Sequence, residues 1–264
     1  MLIAQVTDMH IVARGSHWLS IPATDTAERL KKVINKINAL VPKPDIVLFT
    51  GDNTEDGKRE SYEHLLEILK PLAVPFFIIP GNHDNREEMR AAFPQMPYEG
   101  NFLQLAALNY PLGLIGLDTL IPGEDEGSLS RESITWLEEK LRENPHKDFL
   151  IFLHHFPVKV GQSYFDTIRF IPDEYFARVI AENANAIGLI AGHYHKPFSS
   201  SYAGKPCFIG HSSAPLYAFP NYQAMSGPKL ELTPPAFTLY RWDEEKVLSA
   251  ETVMVVDRED VVGL

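Results

Sequence analysis

Five apolar, β-prone runs, each closed by a polar cluster, constrain this chain more than any other feature. Leu2–Val6 leads into Asp8-Met9-His10, residues 46–49 into Gly51-Asp52, Phe76–Ile79 into Gly81-Asn82-His83-Asp84, residues 149–153 into His154-His155, and residues 187–190 into Gly192-His193-Tyr194-His195. Short runs without polar alternation are what strands covered on both faces require. Each cluster therefore lies just past the carboxyl end of a predicted buried strand, where open α/β sheets build their sites. A lone Asp-x-His or His-x-His more often caps a turn. Five such clusters at equivalent strand ends point instead to one shared site.

Amphipathic stretches separate the runs. Residues 24–40 carry Leu30, Val33, Ile34, Ile37 and Leu40 at helical spacing, and residues 61–69 and 130–141 read the same way, with Ile134, Leu137 and Leu141 inward and Glu132 and Glu139 outward. Between the helical stretches, buried strands are predicted at residues 45–50, 75–79, 112–117, 149–153 and Ala186–Ala191. After Gly192 the character changes: residues 199–202 and Lys205–Ile209 flank Ala203-Gly204, while residues 237–241 and 246–250 flank Asp243-Glu244-Glu245, the pattern of antiparallel hairpins. Alternating β and α followed by late hairpins predicts two mixed sheets flanked by helices.

The polar clusters have the chemistry of metal ligands. Asp8 and His10, and likewise His193 and His195, are two residues apart, so both members of a pair point the same way if strand geometry continues through them. Carboxylate, imidazole and amide donors, with the single cysteine Cys207 outside every cluster, suit a divalent first-row ion and argue against a thiolate site. Manganese, iron, cobalt and zinc all fit. Seven candidates (Asp8, His10, Asp52, Asn82, His154, His193 and His195) exceed what one catalytic ion with an open position takes, so two ions are expected.

Asp-x-His, Gly-Asp, Gly-Asn-His-Asp, His-His and Gly-His-x-His in this order resemble the calcineurin-like metallophosphoesterase superfamily, and within it the class III cyclic-nucleotide phosphodiesterase and glycerophosphodiesterase branch. Gly127-x-Leu129 leading into Trp136-Leu137-x-x-x-Leu141, and the late Pro234-Pro235-Ala236-Phe237, add to that likeness. The resemblance implies a four-layer αββα sandwich, with residues 1–264 a single domain whose residues 199–264 form late hairpins and a rim or homo-oligomer contact. It further implies that Asp8, His10, Asp52 and His195 hold one ion and Asp52, Asn82, His154 and His193 the other. The implied reaction is in-line hydrolysis of a small phosphodiester by a hydroxide bridging the ions, with Asp52, Asn82 and His83 in catalytic roles. The branch places 3′,5′-cyclic nucleotides ahead of glycerophosphodiesters; a broad phosphatase or nucleotide hydrolase is the enzyme alternative, and a metal-free scaffold of the same fold the non-enzymatic one. Purple acid phosphatases carry a tyrosine three positions after the bridging aspartate, where this chain has Glu55, which disfavours a ferric enzyme.

His83 follows a candidate ligand yet faces away from it, free to donate to a phosphoryl or leaving oxygen. Asp84 is expected to support the site or cap the helix that opens near Asn85, and His155 to lie buried behind His154. His17, His64 and His146 read as surface residues. His211 sits near where relatives place a phosphate-contacting histidine, in a text, Gly210-His211-Ser212-Ser213, that departs from their pattern. Two loops, residues 11–23 and 161–170, should overhang the ions and offer Trp18, Tyr164 and Phe165 to a base and Arg169 to a phosphate. Residues 220–235, with Tyr222 and Met225, are a further rim or subunit-contact candidate.

A net charge of −11 argues against a protein that tracks long nucleic acids, whose phosphate contacts need a basic surface. A hydrophobic content of 45% over 264 residues supplies a large core. No apolar run is long enough to span a bilayer, the start Met1-Leu2-Ile3-Ala4-Gln5 lacks the build of a signal peptide, and one cysteine fits a reducing compartment, so a cytoplasmic enzyme without membrane contact is expected.

Overall fold

In the computed structural model, which describes residues 1–218 and 229–256, the apolar runs become the strands of two facing sheets. The chain runs β1 (Leu2–Val6), α1 (Thr26–Asn38), β2 (Ile46–Thr50), α2 (Arg59–Leu69), β3 (Phe76–Ile79), α3 (Arg86–Ala92), β4 (Leu105–Ala107), β5 (Gly113–Gly116), α4 (Arg131–Glu143), β6 (Phe149–Phe152), α5 (Ser163–Ile168), α6 (Glu174–Glu182), β7 (Ala186–Ala191), β8 (Phe198–Tyr202), β9 (Lys205–Ile209), β10 (Leu216–Tyr217), β11 (Leu230–Glu231), β12 (Ala236–Trp242) and β13 (Leu248–Met254). One sheet has the order β13-β12-β1-β2-β3 and the other β4-β5-β6-β7-β9-β8, with β10 and β11 a small separate pair. The first pairs parallel from β1 to β3 and antiparallel at β12 and β13, and the second is parallel at its centre with antiparallel strands at both edges, so both are mixed.

The reason the runs are apolar throughout is visible in how they divide. Ala4 and Val6 of β1, and Val47 and Phe49 of β2, pack with Leu30, Val33, Tyr62 and Leu65 of the helices. Their neighbours Ile3, Ile46 and Leu48 turn the other way and meet Leu150 and Phe152 of β6 between the sheets. Phe149 and Ile151 in turn face Ile134, Leu137, Phe176 and Ile180 on the far side. Period-two alternation thus feeds two apolar layers from every central strand, which gives the four-layer αββα sandwich.

The helices begin where their caps lie. Asp25, Ser130 and Asp173 accept from the backbone N–H of Glu28, Ser133 and Phe176, and Asn85 from those of Glu87 and Glu88. The cap of α3 is therefore Asn85, and Asp84 has another task. The hairpins sit where expected, although β13 starts later than residue 246 and runs on to Met254. The first of them, β8–β9, extends the second sheet and the other, β12–β13, the first. The strands β4, β10 and β11 and the helices α5 and α6 are additions to the sequence reading. Of the proposed rim segments, residues 220–228, with Tyr222 and Met225, and residues 257–264 lie outside the described residues. Among the described residues no helix is long and apolar enough to cross a membrane.

Near the site, a buried polar clamp joins the sheets. Gln5 Nε2 donates to Thr50 Oγ1 and to the Ala191 carbonyl, each at 2.8 Å, and Gln5 Oε1 accepts from the Tyr240 hydroxyl at 2.8 Å. Both of its N–H groups and its carbonyl are satisfied, so the clamp fixes register at little cost.

Candidate metal centre

All five polar clusters meet at one edge of the sandwich, and they do so by leaving strand geometry. The strand β1 ends at Val6 and β7 at Ala191, before their clusters. Asp8, His10, Asp52, His193 and His195 all have φ between 46° and 69°. The expectation that extended backbone aims each two-apart pair is corrected here: five of the seven candidates sit in the left-handed region, at a cost on the order of 1–3 kcal/mol each. Tight cross-links between loops hold them there. Met9 and His10 N–H both donate to the Asp52 carbonyl, Gly192 N–H donates to the His154 carbonyl, and His193 N–H donates to the Asp8 carboxylate at 3.0 Å.

Two glycines are needed because the loops approach so closely. A Cβ on Gly51 would lie 2.4 Å from His154 Nδ1, and Gly51 also has φ of 95°. A Cβ on Gly81 would lie 2.2 Å from Asp52 Oδ1. Any side chain at either position displaces a candidate ligand.

Acceptor-only partners set the tautomer of each imidazole. Glu55 Oε2 takes the proton of His10 Nδ1 (2.8 Å), the Thr50 carbonyl that of His154 Nδ1 (2.8 Å), and the Pro215 carbonyl that of His195 Nδ1 (3.2 Å), leaving Nε2 as the lone-pair nitrogen in all three. In His193 the order is reversed: Nε2 donates to the Ile168 carbonyl (3.2 Å), leaving Nδ1.

The lone pairs converge. His10 Nε2 lies 3.1 Å from His195 Nε2 and 3.7 Å from Asp52 Oδ2, and His195 Nε2 lies 3.6 Å from Asp8 Oδ1. On the other side, His154 Nε2 lies 3.3 Å from Asp52 Oδ2 and 3.2 Å from Asn82 Oδ1. Neutral acceptors facing one another repel unless a cation lies between them. Ligand atoms about 2.1 Å from a shared ion stand about 3.0–3.4 Å apart in octahedral or tetrahedral geometry, close to the separations here. The donor set therefore fits two divalent ions, with Asp52 placed between the two groups.

Burial and charge act on the candidate ligands in different directions. Burial, with neighbouring imidazoles, holds His193 and His195 well below the usual histidine range, which keeps them neutral and able to ligate. Burial also lifts Asp8 to about 6. Asp52 is pressed upward by burial too, but the His154 and His83 rings outweigh it and hold the carboxylate well below its ordinary value. Asp52 in return lifts His154 to about 9 against the opposing effect of burial. These directions describe charges that a bound cation replaces.

The other sequence candidates separate into those that reach the site and those that do not. His83, one-third exposed, faces a cavity of about 200 Å³ lined also by Asp52, Asn82, Asp125, Tyr164, Phe165 and Tyr217. Its Nδ1 donates to the Glu55 carbonyl at 2.9 Å, so Nε2 remains for a substrate. Asp84 is buried and accepts from the N–H groups of Gly81, Asn53 and Thr54 and from the Tyr62 hydroxyl, stiffening the loop that carries Asn82. His155 lies buried behind His154, its Nδ1 on Thr119 Oγ1.

Three substrate-contact expectations need correction. Trp18 is fully buried and stacks on His10 at 4.8 Å, because the 3₁₀ turn Trp18–Ser20 folds it inward. Phe165, by contrast, does line the cavity while packing against Tyr194 and Tyr217, and Tyr164 beside it is the more exposed aromatic of that loop. The Arg169 guanidinium donates to the Phe170 carbonyl at 2.9 Å and does not line the cavity. His211 is buried, its Nδ1 on the Ser212 carbonyl, and lies outside the cavity too. Sequence reasoning missed Asp125, which sits in a loop, and Tyr217, which ends the two-residue strand β10, and noted Glu55 only for not being a tyrosine.

An αββα sandwich with histidine, carboxylate and amide donors gathered at its strand ends defines a metallophosphoesterase architecture. The chain belongs to the calcineurin-like phosphoesterase family, whose model matches residues 1–197. It is 35% identical over 255 residues to a probable glycerophosphodiester phosphodiesterase of Arcobacter nitrofigilis, covering 96% of this chain and 92% of that one. It is 34% identical to a probable cyclic nucleotide phosphodiesterase of Rhodopseudomonas palustris over 83% of this chain and 80% of the relative. A crystal structure of a dimetal phosphatase from Danio rerio superposes with a TM-score of 0.68 at 14% identity, covering 97% of this chain and 99% of that one, a likeness of fold.

Proposed function

We propose that this chain hydrolyses small phosphodiesters at a dinuclear centre, with Asp8, His10, Asp52 and His195 holding one divalent ion and Asp52, Asn82, His154 and His193 the other. The observation that carries this is the pair of lone-pair nitrogens, His10 Nε2 and His195 Nε2, 3.1 Å apart in a buried site. When bound, such ions acidify a water and offset charge on phosphoryl oxygens. The chain's own groups do the rest. His83 presents Nε2 to a phosphoryl or leaving oxygen, held by its Nδ1 bond to Glu55 and by its backbone N–H on Asp52 Oδ1 at 3.1 Å. Phe165, Ile168 and Tyr217 form the apolar wall that limits water.

Both substrate classes named among the relatives are diesters. Glycerophosphodiesters move ahead of cyclic nucleotides in this reading for two reasons. The relative named for the former matches along 96% of the chain. The burial of Trp18 withdraws one of the three aromatics offered for base stacking, and a cavity of about 200 Å³ is smaller than the roughly 300–1,000 Å³ typical of sites for drug-sized ligands.

The test is a parallel assay of the manganese-loaded protein against a glycerophosphodiester, cyclic AMP, a bis(aryl) phosphate and an aryl monophosphate. Turnover of diesters above the monoester supports the reading. No hydrolysis of any of them, with manganese, iron, cobalt or zinc, hands the chain to the scaffold alternative.

A further inference from the structure

Glu55 belongs to neither candidate ligand group, yet it touches His10, Trp18 and His83 at once. Its Oε2 accepts from His10 Nδ1 and from Trp18 Nε1, both at 2.8 Å, and lies 3.5 Å from His83 Nδ1, while its own carbonyl accepts from that same nitrogen. Trp18 lies face-on to His10, with 24° between the ring planes, and is 6.0 Å from His195 at 23°. One oxygen therefore fixes which nitrogen of His10 is protonated, and the indole it holds fixes the plane of the same ring.

The loop is built to keep the indole there. Thr24 Oγ1 donates to the Trp18 carbonyl at 2.6 Å, Thr26 Oγ1 donates to the His10 carbonyl at 2.9 Å, and Leu19 and Ser20 adopt φ of 53° and 58° to turn the chain back. Strained backbone that persists around one inserted side chain marks a position the fold over-determines. No such arrangement surrounds His154, whose Nδ1 rests on a backbone carbonyl.

Resting on the dinuclear reading above, we propose that Glu55 and Trp18 are positioning residues for the ion held by Asp8, His10, Asp52 and His195: the carboxylate locks His10 with Nε2 toward the ion, and the indole shields the His10 and His195 rings from water. A carboxylate on the far nitrogen of a ligating imidazole raises its basicity and orients it, and removing such a partner characteristically costs 10- to 100-fold in metal affinity. The two ions should then respond differently to the same substitution, since only one is held through His10.

The experiment is a manganese titration of the metal-stripped full chain, read as bound manganese by electron paramagnetic resonance and as tryptophan fluorescence, for wild type, Glu55→Gln, Glu55→Leu and Trp18→Phe. Wild type should bind two ions, with a fluorescence change on filling the His10 site that is lost in Trp18→Phe. Glu55→Leu should weaken one ion by about 10- to 100-fold and leave the other unchanged. Glu55→Gln keeps an acceptor without the charge, so it should fall between and shows the effect in a fold little disturbed, checked by circular dichroism. Wild-type binding of no ion would overturn the dinuclear reading itself. Two ions bound by wild type, with unchanged affinities in Glu55→Leu and Glu55→Gln, would overturn this proposal alone.

Discussion

Arg86 and Asp118 form a bidentate ion pair, Nε to Oδ2 at 2.6 Å and Nη2 to Oδ1 at 2.8 Å, that ties the start of α3 in one half of the sandwich to the loop after β5 in the other. Asp118 is buried and also accepts from the N–H groups of Leu103 and Leu120, and Arg86 donates further to the Leu120 carbonyl. The pair lies one turn past Asn82 and His83, so it sets where that loop stands.

Removing one partner leaves the other buried and uncompensated. Arg86→Met should therefore destabilise the protein by about 3–5 kcal/mol, measured by urea unfolding. A loss below about 1 kcal/mol would mean that water reaches Asp118 and the pair is not a clamp.

Asn82→Ala removes a neutral amide from the group around His154. The variant should keep its circular dichroism spectrum, bind one manganese instead of two, and lose on the order of 10²-fold in diester kcat/KM. Retention of both ions with full activity would remove Asn82 from the site.

His83→Ala should retain both ions and lower kcat on the order of 10² to 10⁴-fold for a diester with an alkyl alcohol leaving group. The loss should be smaller for a bis(aryl) phosphate, whose leaving group is already a weak base. Equal losses on the two substrates would reduce His83 to holding the phosphate.

Cys207 is buried in β9, and burial pushes its thiol up to about 12. Its raised value means that stability from keeping the thiol neutral is present below the free-thiol pKa of about 8.5 and is lost as pH rises toward 12. Native protein at pH 8 should accordingly show no fast reaction with a disulfide reagent, and one thiol should titrate in denaturant. Fast labelling of folded protein would place the side chain at the surface.

Most of the strands and the polar residues at their ends were legible in the sequence, because strand burial on both faces writes itself locally as an unbroken apolar run and helix burial as a 3.6-residue stripe; the short β4, β10 and β11 carry no such run. The runs at β7 and β9 were legible to the residue. Tertiary structure alone decided how those polar residues face one another. His10 and His195 are 185 positions apart, and the left-handed backbone that aims them is held by hydrogen bonds between loops of different strands, which no local pattern encodes. The same holds for Trp18 and Glu55. An aromatic in a loop after the first cluster reads equally as an offered platform or an inserted plug, and only the neighbouring carboxylate and the ring of His10, brought in by pairing β1 against β2, make it the plug.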